Sequence, residues 1–115
     1  MSRRIEKINE LLQQELSKLI LIEEKNLSPN CIITVMEVET AEDLKTAKVW
    51  ASVLDGVKKS TQSEKIIKKL QHLSFQFQKE LSRKLTLKFI PKLTFKLDTT
   101  GERAQKIDKI LNEIK

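Results

Sequence analysis

The chain has 115 residues, 39% of them hydrophobic and 33% charged, which is typical of a single globular domain with a modest core. We therefore expect one domain over residues 1–115. The formal net charge is +6, but between Lys58 and Lys96 eleven Lys and Arg residues face only two acids. That segment alone carries +9, and such one-sided charge favours a polyanionic partner. One cysteine and one histidine provide no metal-ligand set and no disulfide framework, so no cofactor is expected.

Targeting segments are not indicated by the N-terminal sequence, which soon interleaves Glu and Asn with apolar residues. No run approaches the roughly 20 apolar residues of a membrane span, and we expect neither a signal peptide nor a membrane helix. Cys31 is the one cysteine of the sequence, which favours a reducing compartment, so the chain is expected in the cytoplasm.

Apolar spacing predicts a first helix from about Arg3 to Glu23, after a Ser2 N-cap. Steps of three, four or one join its apolar stripe, which consists of Ile5, Ile8, Leu12, Leu16, Leu19 and Ile20. The segment from Asn26 to Asn30 contains Ser28-Pro29 and is predicted to break the helix.

Two strands are predicted next. Ile32 to Glu39 is rich in β-branched residues, and Thr46 to Leu54 alternates small or apolar residues with Lys48, Trp50 and Ser52. The alternation indicates a half-buried second strand, which ends at Asp55-Gly56.

A long helix follows, with Ser60 or Ser63 as its predicted cap. Its apolar face is formed by Ile66, Ile67, Leu70, Leu73, Phe77 and Leu81. The opposite face carries a stripe that we call the basic ridge, made of Lys65, Lys68, His72, Gln76, Lys79 and Arg83. The basic ridge is the best candidate binding surface, although lysines on an outer helix face often serve only solubility.

The last predicted elements are a third strand and a closing helix. The strand runs from Leu87 to Leu97, with a basic outer face and a Pro91 that indicates an edge position or a bulge. Its odd, apolar positions form the inward face: Leu87, Phe89, Leu93, Phe95 and Leu97. The sequence Thr99-Thr100-Gly101-Glu102 resembles a capping box. It precedes the apolar stripe Ile107, Ile110, Leu111 and Ile114.

The order α-β-β-α-β-α, with the long helix kinked or split, favours an α+β two-layer sandwich. A three-stranded sheet would carry the helices on one face and leave the other open. Trp50, Lys48 and the even-numbered lysines of the third strand are predicted to share that open face.

Two motifs resemble the bacterial ribosome-binding factor A family. The first runs from Glu42 to Trp50 (EDLKTAKVW) and the second from Leu87 to Asp98 (LKFIPKLTFKLD), and an Arg-bearing N-terminal helix precedes both. The resemblance covers most of the chain, and the second motif is the more specific. It implies a type II KH-like fold and a non-enzymatic, RNA-binding role in ribosome biogenesis. A monomer is expected separately, because the apolar stripes are about what one small core can absorb. The implied partner is the free, immature small ribosomal subunit near the 5′-terminal helix of its rRNA, where the family assists late maturation and rRNA processing.

One feature departs from KH domains, which usually clamp RNA with a GXXG loop between two helices. No glycine occurs between Gly56 and Gly101, and Leu73, Ser74 and Phe75 stand where the family has an Ala-x-Gly interruption. On an unbroken helix Phe75 would expose its ring beside the basic ridge, whereas a kink near Ser74 would turn it into the core. We favour the kinked helix with a buried Phe75, because burial of Phe is worth roughly 1.5–3 kcal/mol.

The residues predicted to contact RNA are Arg3, Arg4, Lys65, Lys68, Lys69, His72, Gln76, Lys79, Arg83, Lys84, Lys88 and Lys92. His72 is predicted to be a surface residue, Cys31 a small buried hydrophobe, and Trp50 packed under a loop or the closing helix rather than stacked on RNA. Asp43 and Asp98 are expected to shape turns. No Gly-rich phosphate loop or catalytic triad is present, so we expect no enzyme. The alternative is a general basic nucleic-acid-binding or protein-interaction module without ribosome selectivity.

Overall fold

A computed structural model describes residues 3–27, 31–55, 58–59 and 62–99 of the chain. The helices and strands are α1 (Arg3–Leu27), β1 (Ile32–Thr40), β2 (Thr46–Asp55), β3 (Lys58–Lys59), α2 (Ser63–His72), α3 (Ser74–Lys84) and β4 (Lys92–Leu97). Their order confirms the predicted α-β-β-α-β sequence, with the long helix split in two. The predicted Ser2 and Ser60 caps and the closing helix lie outside the described residues.

The sheet is mixed and has β2 at its centre. β1 pairs antiparallel with one side of β2, and β4 pairs parallel with the other, from Thr46↔Lys92 to Ala51↔Leu97. A two-residue strand that the sequence analysis missed, β3, pairs antiparallel with the end of β2. Because β2 has only two sides, β1 and β4 form opposite edges of the sheet.

The hydrophobic core lies between the three helices and one face of this sheet. The predicted apolar stripes supply it: Ile8, Leu12, Leu16, Leu19 and Ile20 from α1, Ile66, Ile67 and Leu70 from α2, and Phe77 and Leu81 from α3 are all buried. Alternate residues of β2 contribute to the core from the sheet side. Cys31 is buried, as predicted. Phe77 and Phe95 meet edge to face with their ring centroids 5.9 Å apart. The predicted α+β two-layer arrangement is confirmed.

The opposite face of the sheet carries exposed Lys48, Lys92 and Lys96 beside a half-buried Trp50, as predicted. The Trp50 indole N–H donates to Glu39 Oε1 at 3.2 Å, across the β1–β2 pair. The predicted closing helix that could have covered Trp50 lies outside the described residues.

Three element boundaries differ from the sequence prediction. α1 continues four residues beyond Glu23, because its next possible breaker is Pro29 and Leu27 is buried in the core. α2 begins at Ser63 itself, whose predecessor Gln62 is the N-cap and makes no side-chain capping bond, so the predicted Ser63 cap is wrong.

The third difference concerns the strand predicted from Leu87, which begins only at Lys92. Pro91 has no N–H to donate and occupies a fully buried position just before β4. Leu87 and Ile90 pack against the core from an irregular segment, while Phe89 is 74% exposed. The predicted inward position of Phe89 is therefore wrong. The predicted edge position of the strand is confirmed for β4 within the described part of the sheet.

The long helix is interrupted at Leu73, as the preferred prediction required. The Leu73 N–H is shared between Lys69 O at 3.2 Å and Leu70 O at 3.0 Å, which tightens the last turn of α2. α3 then resumes with Phe77 buried, and Phe75 stands about 200° away around the helix. Phe75 is consequently 74% exposed, so its predicted burial is wrong even though the interruption is present.

Amide side chains from the helices bond the backbone of both edge strands. Gln71 donates to Leu93 O at 3.1 Å and accepts from Phe95 N–H at 2.8 Å, while Gln78 donates to Pro91 O. On the other edge, Gln13 donates to Val35 O, and Asn9 accepts from the Thr40 N–H. The helices thereby satisfy backbone groups that an unprotected edge would offer to another chain.

Candidate nucleic-acid interface

All twelve residues predicted to contact RNA are exposed. Arg3 and Arg4 lie at the start of α1, Lys88 lies between α3 and β4, and Lys92 begins β4. The other eight lie on α2 and α3: Lys65, Lys68, Lys69, His72, Gln76, Lys79, Arg83 and Lys84. Exposure of the whole set makes it accessible to a polyanion.

The basic ridge keeps its solvent position across the interruption because α2 and α3 both bury their other face. Lys65, Lys68 and Lys79 make no ion pair with the described part of the chain. Arg83 contacts Glu80 at 3.2 Å, but both side chains are at least 37% exposed. A pair so exposed is worth about 0–1 kcal/mol, so Arg83 can exchange Glu80 for a phosphate at little cost.

Two predicted contact residues instead face α1. Lys69 Nζ donates to Leu27 O at 3.4 Å, at the C-terminal end of α1 where carbonyls lack helical partners. Lys84 Nζ lies 3.9 Å from Glu15 Oε2, and that carboxylate also accepts a bond from Lys18. Lys69 and Lys84 therefore each make one weak contact with α1, whereas Lys65, Lys68 and Lys79 make no ion pair with the described residues.

A groove at one end of the molecule brings the two sequence motifs together. We call it the motif groove; it measures about 560 Å³ and is lined by Arg4, Ile8, Asp43, Leu44, Lys45, Leu87, Lys88, Phe89, Ile90 and Pro91. Arg4 and Lys88 were predicted contact residues. Lys45 and Phe89 were missed as site residues, although both lie inside the motifs, because Lys45 was not considered and Phe89 was predicted to point inward.

The β1 edge has the opposite charge. A depression of about 630 Å³ between α1 and β1 is lined by Ile5, Glu6, Asn9, Glu10, Glu37, Val38, Glu39 and Thr40. Four of these are glutamates and none is basic. Charge is thus segregated between the α1–β1 side and the α2–α3–β4 side, which would orient the molecule on a polyanion.

The described residues contain no group of three or more His, Cys, Asp or Glu side chains suited to a metal ion. His72 is exposed, as predicted. Asp43 Oδ1 accepts a bond from Lys45 N–H at 3.0 Å, which confirms its predicted role in a turn. Among the described helices, none is long and apolar enough to cross a membrane.

Comparison with known proteins identifies the family. The profile of ribosome-binding factor A matches residues 4–111. The chain is 35% identical to ribosome-binding factor A of Akkermansia muciniphila, covering 99% of this chain and 86% of the relative. It is 36% identical to that of Pelagibacter ubique, covering 97% and 90%. The chain belongs to the ribosome-binding factor A family.

Solved structures from this family share the fold. The crystal structure of ribosome-binding factor A from Thermus thermophilus superposes with a TM-score of 0.68 at 17% identity, covering 81% of this chain and 94% of that one. A solution structure of a Thermotoga maritima protein described as a putative ribosome binding factor A gives 0.56 at 19% identity, covering 76% and 84%. A third likeness is a homology model of Thermus thermophilus ribosome binding factor A fitted into a cryo-electron-microscopy map of a 30S complex, with a TM-score of 0.54 at 18% identity, covering 75% and 90%.

Family membership confirms the resemblance drawn from the two motifs, including the type II KH-like fold and the non-enzymatic class. The helices of this chain separate at Leu73, within a Leu73-Ser74-Phe75 segment that contains no glycine. Glycine is therefore not required for the break, because Leu73 adopts φ −89° and ψ 0°, which is accessible to any residue.

Proposed function

We propose that this chain is a non-enzymatic ribosome biogenesis factor that acts in the cytoplasm as a monomer. It binds the free, immature small ribosomal subunit near the 5′-terminal helix of its rRNA and assists late maturation and rRNA processing. Family membership and the exposed basic ridge support this function. The observation that carries it is the ridge itself, in which Lys65, Lys68 and Lys79 have no ion pair with the described residues to compete with RNA phosphates.

The mechanism follows from differential affinity. Phosphate contacts along the ridge stabilise one arrangement of the rRNA, and release follows when the matured subunit no longer presents that arrangement. Since phosphate contacts position a protein without reading sequence, selectivity must come from the shape of the folded rRNA. No covalent step is required.

The test is sedimentation of cell extract through a gradient that separates free small subunits, whole ribosomes and soluble protein, at two salt concentrations. Co-migration with free small subunits alone, weakened by salt, is the expected result. Equal retention by small subunits, whole ribosomes and bulk duplex DNA would identify a general nucleic-acid-binding module instead. Recovery only among soluble proteins at both salts would remove the proposed function.

A further inference from the structure

The lining of the motif groove does not include the place where α2 and α3 separate. Arg4 and Ile8 line it from the first turns of α1, whereas the hollow beside Leu73 is lined by Asn26 and Leu27 at the other end of that helix. The motif groove is therefore a separate surface from the helix interruption that corresponds to a KH loop.

The walls of the motif groove are fixed before any ligand arrives. One wall is the β1–β2 turn, in which Leu44 has φ 63° and donates its N–H to Ala41 O at 2.9 Å. A left-handed conformation is unfavourable for a leucine, so it persists only where surrounding contacts enforce it. Lys92 N–H donates to Lys45 O at 2.9 Å and ties this turn to the beginning of β4, next to the other wall. The ligand therefore needs to order little of the protein.

The lining combines an apolar floor, an aromatic ring and positive charge. Leu87, Ile90 and Pro91 form part of the floor, and Phe89 stands 74% exposed above it. Lys88 Nζ lies 5.8 Å from the centroid of the Phe89 ring. Arg4 and Lys45 add two more cations. The one acidic residue in the lining, Asp43, accepts a hydrogen bond from the backbone N–H of Lys45.

An unpaired nucleotide matches each of these features. A base extruded from a stack offers a flat face to an aromatic ring, and its phosphates need nearby cations. The volume of about 560 Å³ lies within the roughly 300–1,000 Å³ of small-ligand sites. A protein segment would use the apolar floor equally well but would gain less from three cations.

We propose that the motif groove binds an unpaired nucleotide of single-stranded RNA, with the base stacked on Phe89 and the flanking phosphates contacted by Lys45, Lys88 and Arg4. The inference rests on the proposed function, since it names a second RNA contact of the same protein. The groove and the basic ridge would together hold two separated stretches of RNA.

The test uses full-length protein and fluorescently labelled single-stranded RNA of about six nucleotides, a length within the range that single-strand-binding modules cover. A matched oligonucleotide keeps the sugar-phosphate chain but lacks the bases. Wild-type protein is expected to bind the base-containing RNA roughly fivefold to 150-fold more tightly than the abasic one, as base stacking predicts. Phe89→Ala should remove that preference, and Phe89→Tyr should keep it.

Phe75→Ala is the matched control, because Phe75 is also 74% exposed but lies on α3 outside the groove lining. Its preference for bases is expected to equal that of the wild type. If Phe75→Ala and Phe89→Ala lose equal amounts of the preference for base-containing RNA, the inference is overturned, since the preference would then not belong to the groove. Melting curves of all variants should coincide, because both rings are exposed.

Binding to purified small subunits separates the two proposals. If Phe89→Ala binds RNA like the wild type while wild-type protein still binds small subunits, the groove inference fails and the proposed function stands. If Phe89→Ala loses small subunits but keeps its preference for bases, the groove contacts a ribosomal protein and the inference fails. If wild-type protein binds neither RNA nor small subunits, the proposed function fails and the inference fails with it.

Discussion

The two edges of the sheet are closed in the same way but carry opposite charge. At β4, Gln71 and Gln78 bond some of the outer backbone groups, and at β1, Asn9 and Gln13 do so. The β4 side carries the basic ridge, whereas the β1 side carries four glutamates in one depression. Protection of an edge against strand pairing is thus independent of the charge that the edge presents. From the charge we predict that the β4 side, and not the β1 side, faces a polyanion.

Neutralising the basic ridge should have the largest effect on binding. We expect Lys65, Lys68, Lys79 and Arg83 changed together to Gln to weaken RNA binding on the order of 10- to 1,000-fold at about 0.1 M salt and to flatten its salt dependence, because each lost phosphate contact removes about 0.7–0.9 from the slope. Binding titrations over a salt series measure both quantities.

The matched control neutralises the other edge by changing Glu6, Glu10, Glu37 and Glu39 to Gln. This variant should bind RNA as tightly as the wild type or more tightly, since it removes like charge facing a polyanion. Similar losses in both variants would contradict the assignment of RNA to the β4 side. A large fall in the melting temperature of the ridge variant would contradict the expectation that these four cations do not stabilise the fold.

Removal of the Gln71 amide should have the next largest effect, on stability. Gln71→Ala leaves Leu93 O and Phe95 N–H without their partner at a partly buried edge, and we expect the free energy of unfolding to fall by about 1–3 kcal/mol. Urea denaturation measures the change. Gln13→Ala is the control at β1, where a 3.2 Å bond to Val35 O is lost. We expect its free energy of unfolding to fall by about 0.5–1.5 kcal/mol. A larger loss of stability in Gln13→Ala than in Gln71→Ala would mean that β1 depends more than β4 on its side-chain hydrogen bonds.

A change at Thr40 should stabilise the β1 edge. Its Oγ1 is buried without a hydrogen-bond partner among the described residues, and burial of an unsatisfied hydroxyl costs free energy. We expect Thr40→Val to raise the free energy of unfolding by about 1 kcal/mol, because valine has nearly the same shape. Thr34→Val, at an exposed position of the same strand, should change it by less than about 0.5 kcal/mol. Destabilisation by Thr40→Val would show that the hydroxyl has a partner in solution.

The smallest effect is expected for Glu80→Gln, which removes the partner of Arg83 from the basic ridge. Stability should change by less than about 0.5 kcal/mol because the pair is exposed. RNA affinity should rise by about twofold, since one acidic charge next to the phosphates is lost. A fall in RNA affinity, measured by the same titration, would mean that Glu80 positions Arg83 for contact.

Periodicity predicted the elements that pack against the core. The α1 stripe, the alternation of β2 and the apolar face from Ile66 to Leu81 all appeared in the structure because burial itself imposes these spacings. The predicted strand from Leu87 was wrong, because the same alternating pattern also fits an irregular segment that packs only some of its apolar residues. Leu87 and Phe89 alternate like strand residues, yet Pro91 ends that pattern, and Phe89 is exposed.

Contacts between elements distant in the sequence were not predictable. Gln71 and Gln78 looked like ordinary helix residues, and only the docking of α2 and α3 beside β4 gives their amides backbone partners. The position of Phe75 depended in the same way on how Phe77 and Leu81 enter the core after the break at Leu73. Lys69 and Lys84 were indistinguishable from their neighbours until α1 supplied Leu27 O and Glu15.

Local sequence was sufficient to predict α1, the split long helix, β1 and β2, the excess of positive charge after Lys58 and the family, because spacing, composition and motifs are properties of the chain. Only the packed fold shows β3, which cations contact α1, which aromatic rings face solvent, and that the two motifs meet in one groove. Apart from β3, these outcomes depend on residues far apart in the chain, whose juxtaposition is set by packing of the helices on the sheet and not by any local preference.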